Sequence, residues 1–85
     1  MNGDMLLKQA AGVVANRREI YGEPSNAMNA VAKRWSLTLG VPVNAAQVVL
    51  CLIDLKLARL ARDPKHVDSL IDVVGYSAML GEVSR

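Results

Sequence analysis

Apolar residues recur along the chain at the three- and four-residue spacing of an α-helix, in four blocks separated by turn-forming residues. The first block predicts a helix over residues 4–19, with Asp4 as N-cap. Leu6, Ala10, Val13, Val14 and then Arg17 share one of its faces. Ile20-Tyr21-Gly22-Glu23-Pro24 breaks it, because glycine and the residue before proline both disfavour continuation. The second helix is predicted over 25–39, with a stripe of Ala27, Met28, Val31, Ala32 and Trp35 and with Gly40 as its C-terminal cap.

The third block predicts a helix over 44–62. Asn44 followed three residues later by Gln47 is a capping-box pattern. This helix has two apolar sides. One is Ala46, Val49, Leu50, Ile53, Leu57, Leu60 and Ala61. The other is Val48, Leu52 and Leu55, from which Arg59 projects with Lys56 at its edge. A helix apolar nearly all round is buried nearly all round. Four short helices cannot surround it, so a subunit interface through helix three is expected. The fourth helix is predicted over 65–82, capped by Asp63 with Pro64 in its first turn. Its core stripe is Val67, Leu70, Ile71, Val74 and Ala78; on the opposite side Asp68, Asp72 and Tyr76 line up with Met79 beside them. The chain therefore reads as one all-α domain, a four-helix bundle over residues 1–85.

Composition sharpens the expectation of assembly. A chain of 9.2 kDa can bury about 63% of its extended surface. Its apolar residues, counted with glycine, make up about 56%, against the usual share of roughly 45–50%. Small domains with such a surplus commonly bury it against copies of themselves, and disorder is excluded. The surplus lies mainly around Val48, Leu52 and Leu55, which places the expected assembly surface beside Lys56 and Arg59.

The single cysteine, Cys51, excludes an intrachain disulfide, fits a reducing cytoplasm, and is expected to be a small buried apolar residue. One histidine, His66, excludes a two-histidine metal motif, and it is expected to face solvent. No apolar run reaches the roughly 18–20 residues of a membrane span. The first residues lack the basic and apolar regions of a signal peptide. The net charge of +2 is too small to predict nucleic-acid binding, and Arg17-Arg18 and Lys33-Arg34 are too short to count as a patch.

Two constellations carry candidate chemistry. Lys56 and Arg59 lie one turn apart on helix three; Asp68 and Asp72 lie one turn apart on helix four. A short loop makes these helices antiparallel neighbours, so the four groups are expected to meet. They form either a salt-bridge cluster or a polar pocket in which the cations hold phosphate while the aspartates orient them or bind a metal. Arg17, ending an apolar face, either serves that pocket or bonds carbonyls at the helix end. Tyr21 stands one turn after it. Trp35 is either core or a stacking platform, and Tyr76 bonds either Asp72 or a ligand.

Asn16-Arg17, Tyr21-Gly22-Glu23-Pro24, Asn26, Ala32, Trp35 and Gly40, then Val48, Lys56-Leu57-Ala58-Arg59 and Asp68-Ser69-Leu70-Ile71-Asp72-Val73-Val74-Gly75-Tyr76, resemble a small family of unknown function encoded by tailed phages and prophages. That family is distantly similar to the all-α MazG-like nucleotide pyrophosphohydrolases. The resemblance implies a helical dimer or tetramer, and magnesium held by a Glu-x-x-Glu on one helix and a Glu-x-x-Asp on the next. Asp72 stands where that pattern has its final Asp. Asp68 precedes it by four residues instead of three, and Lys56 and Arg59 replace the glutamate pair. This removes most of the charge that metal-activated hydrolysis requires. The expected function is therefore a phage-type homo-oligomer in the host cytoplasm that binds a nucleotide or similar phosphorylated molecule, such as a defence signal, without hydrolysing it and without a resident cofactor. Arg17, Lys56 and Arg59 would contact phosphate, Tyr21, Trp35 or Tyr76 would stack, and Asp68 and Asp72 would orient the cations. The alternatives are a magnesium-dependent nucleoside triphosphate pyrophosphohydrolase and an interaction module with only an ion-pair network.

Overall fold

The computed structural model describes residues 1–84, and these form four α-helices and no strands: α1 (Gly3–Tyr21), α2 (Pro24–Leu39), α3 (Ala45–Arg62) and α4 (Val67–Val83). α3 and α4 make the principal pair. α1 lies along α4, α2 lies along α3, and α1 and α2 barely touch.

Local chemistry sets the helix ends. α1 starts at Asn2, not at Asp4, because the Asn2 side chain accepts the Met5 N–H at 2.9 Å; Asp4 falls in the first turn. It runs on to Tyr21 and stops at Gly22, whose φ of 80° suits only glycine. Pro24 opens α2, and Gly40 closes it in the left-handed region. The connector to α3 is clasped by Ser36, whose hydroxyl donates to the Ala32 carbonyl and accepts the Val43 N–H. The capping box forms as predicted, with both Asn44–Gln47 hydrogen bonds present.

α4 begins two residues later than predicted. Asp63 is engaged as the C-cap of α3, and its carboxylate accepts the Lys65 N–H, which closes a short turn. The N-cap is His66: its Nδ1 accepts the Ser69 N–H and sits 2.8 Å from the buried Ser69 hydroxyl. His66 is exposed as expected, but its ring has a structural task.

The fully buried apolar residues are all small: Ala10, Ala32, Ala45, Val48 and Val49. Helices meeting through such residues approach closely and cover little of each other. Hence α3 is buried on one side only. Val48 belongs to the inner, packed side and Leu52 is partly covered, so of the predicted second face only Leu55 lies open. Leu50, Leu55 and Leu57 lie on the open side, each about half exposed, and Cys51 is exposed there too instead of buried. In α4, Val67 and Ala78 drop out of the predicted core stripe, while Ser69 and Gly75 are buried.

The shape follows. The radius of gyration is 13.6 Å, against about 11.9 Å for a compact chain of this length. The accessible surface is 5821 Å², against about 4,900 Å² for a folded monomer of this mass.

Candidate functional site

The last turns of α1, the first turns of α2, the middle of α3 and the second half of α4 converge on a cavity of about 410 Å³. Such a volume is in the range of small-molecule sites, roughly 300–1,000 Å³. Its walls are mainly apolar: Val14, Pro24, Ala27, Met28, Leu52, Gly75 and Met79. Arg17, Arg18, Tyr21, Tyr76 and Glu82 add the polar and aromatic groups. Leu52, predicted to face another subunit, therefore lines the chain's own cavity.

Asp72 is the organising group. Its Oδ1 accepts from Arg17 Nη2 at 3.2 Å, and its Oδ2 lies 3.1 Å from Lys56 Nζ. Lys56 and Asp72 are 14% and 13% exposed at the side chain, and Arg17 is 37% exposed. A lysine so nearly buried requires a counter-ion. One carboxylate between two cations ties α1, α4 and α3 together and leaves the trio with one net positive charge. Arg17 Cζ also stands 5.8 Å from the centroid of the Tyr76 ring, within cation–π range. Asp72 and Lys56 do not line the cavity; they act on it through Arg17.

A second network stands beside the first, with Arg18 and Glu82 in the cavity wall. Arg18 Nη2 donates to Glu82 Oε1, and its Nη1 lies 3.9 Å from Glu23. The Glu82 hydrogen bond, then the charges of Glu82 and Glu23, raise the Arg18 guanidinium above its ordinary range. This trio has one net negative charge and links α1 to both α2 and the end of α4.

The sequence-derived candidates separate into four groups. Arg17, Tyr21 and Tyr76 line the cavity, with Tyr21 72% exposed at its edge. Lys56 and Asp72 meet as expected, and Arg17 joins them instead of bonding carbonyls. Arg59 and Asp68 are exposed and have no ion-pair partner among the described residues. They lie outside the cluster that the hairpin was expected to form. Arg59 is in the last turn of α3 and Asp68 in the first turn of α4, where each complements the helix dipole. Trp35 is half-buried on α2 and does not line this cavity.

The donor set does not fit magnesium. Both Asp72 oxygens face cations, Asp68 is exposed, and the described residues contain no group of three or more His, Cys, Asp or Glu able to hold a metal. Arg18, Glu82 and Glu23 were not distinguishable as site residues from sequence. Their only local signal is an arginine beside the Gly-x-Pro break; Glu82 is 64 positions away.

A family model described as a domain of unknown function, DUF6378, matches residues 5–84. No curated protein and no solved structure matches the chain.

Proposed function

Because the chain belongs to the DUF6378 family, a domain of unknown function, we propose a role from the site itself: a homo-oligomeric binder of a nucleotide or similar phosphorylated small molecule. The observation that carries this reading is Arg17, held by Asp72 and stacked beside Tyr76 at the wall of an apolar cavity. Apolar walls with two tyrosines suit a planar base. Arg17 has five N–H donors and gives one to Asp72, so its remaining donors are available to a phosphate. Lys56 and Asp72 fix its orientation.

Charge narrows the ligand. The inner trio is positive by one, and the second network, with Glu82 and Glu23 around Arg18, is negative by one. A singly charged phosphodiester, as in a cyclic nucleotide, is favoured over a triphosphate. The resemblance to phage-encoded and MazG-like proteins supplies the rest of the proposal: a phage-type product in the bacterial cytoplasm that sequesters a signalling nucleotide and does not cleave it. No helix among the described residues is long and apolar enough to cross a membrane.

Calorimetric titration with cyclic and linear nucleotides tests the reading. A micromolar or tighter Kd is expected for at least one cyclic phosphodiester. Arg17→Met weakens it at least tenfold, and the exposed Arg34→Gln does not. A folded protein that gives no heat with any member of the panel overturns the proposal. That outcome favours the second reading, an interaction module, which the three-helix Arg17–Asp72–Lys56 tie supports by itself.

A further inference from the structure

The outer side of α3 is an apolar surface that the four helices leave uncovered. On α1 the exposed large apolar residues are Met5 and Leu7 near its start, with Ala11 and Ala15 following, and Ile20 and Tyr21 at its end; Leu37, Leu39 and Val41 cluster where α2 stops. On α3, Leu50, Leu55, Ala58 and Ala61 extend over more than two turns, all exposed. Asp54 and Arg62 share this side, exposed and without ion-pair partners among the described residues.

Their spacing is symmetric. Asp54, Ala58 and Arg62 are successive i, i+4 positions, so the two charges flank the alanine at equal distances along the helix and at equal angles around it. A two-fold axis through Ala58 reverses one copy of α3 on another. With the two helices crossed so that their Asp54–Ala58–Arg62 rows lie over one another, it sets Asp54 of each chain against Arg62 of the other, twice, and brings Leu55 beside its own counterpart. The small central side chain permits close approach of the helix axes.

We infer that a second copy of this chain docks on the outer side of α3, antiparallel and centred on Ala58. This rests on the homo-oligomer reading above and gives it a face and a register.

Charge reversal across the axis tests it by sedimentation velocity over a concentration series. The native chain is a dimer at micromolar concentration. Asp54→Arg and Arg62→Asp, each alone, juxtapose like charges twice and raise the dimer Kd at least tenfold. An equimolar mixture of the two variants restores dimerisation, because both cross-chain pairs then attract. The doubly reversed chain, D54R/R62D, restores it as well. A loss of helix stability in a single variant would not be rescued by mixing, so the rescue is specific to the contact. A native chain that stays monomeric at tens of micromolar overturns both the face and the homo-oligomer reading. A dimer indifferent to either reversal overturns this face alone.

Discussion

On the inner side of α3, Val48 and Val49 have no accessible surface and Lys56 is clamped by Asp72. On its outer side, Leu50, Leu55 and Leu57 keep about half of theirs. The two sides are nearly equal in hydrophobicity, and the inner one is the one with the buried charge. What separates them is the neighbour: α2 and α4 pack on the inner side, and among the described residues no helix packs on the outer one. Apolarity in a pattern does not by itself say which side the chain's own helices will cover.

The largest effect should come from a charge placed on each side. Val48→Asp puts a carboxylate among α2, α3 and α4 with no partner, and costs more than about 4 kcal/mol. The chain should lose cooperative unfolding by circular dichroism. Leu50→Lys places a flexible cation on an already open surface. It should cost less than about 1 kcal/mol in urea titrations at low protein concentration, while weakening self-association. Equal losses from both would mean that the two sides are not different in kind.

A middle-sized effect tests the polar cluster against the exposed charges nearby. Asp72→Leu leaves Arg17 and Lys56 facing each other without their shared anion. It should cost about 2–3 kcal/mol, below the full penalty of a completely buried pair because Arg17 reaches solvent. Arg59→Met, one turn from Lys56 but exposed, should move stability by less than about 0.5 kcal/mol. A cost for Arg59→Met near that of Asp72→Leu would show that the hairpin cluster expected from sequence exists after all.

The legible parts of this molecule are those decided within one or two turns of helix. The capping box of Asn44 and Gln47, the glycine stop at Gly40 and the break before Pro24 all follow from short-range hydrogen bonding and backbone sterics. The Lys56–Asp72 pair was legible for a related reason, since a short loop leaves an antiparallel hairpin few registers. The rest depends on groups that meet across long separations. Arg17 finds Asp72 because α1 lies along α4, and periodicity contains nothing about that choice. Arg18 with Glu82 is hidden for the same reason. The cap of α4 failed differently: Asp63 and His66 compete three residues apart, and the turn that Asp63 closes onto Lys65 decides between them. Cys51 was misplaced because small apolar residues are usually inside, and here they lie on an uncovered surface.

The smallest effect probes the seam between α1 and α4 against open solvent. Gly12 in α1 is exposed, and a methyl group added there meets nothing within 4 Å. Gly75 in α4 is buried at the cavity wall, and a methyl group there meets Val14 Cγ2 at 3.5 Å, an ordinary contact. Both sites are helical, so alanine should stabilise each by about 0.5–1 kcal/mol through reduced freedom of the unfolded chain. Thermal unfolding should register this as a rise of about 4–8 °C per kcal/mol in a domain of this size. The two differ in what surrounds the added carbon. At Gly12 the gain is entropic only; at Gly75 it also includes contact with Val14, so Gly75→Ala should gain as much or more. A gain at Gly12 with a loss at Gly75 would mean that α1 and α4 close more tightly than 3.5 Å allows. The cavity between them would then be smaller than its walls suggest, and ligand affinity should fall in Gly75→Ala while staying unchanged in Gly12→Ala.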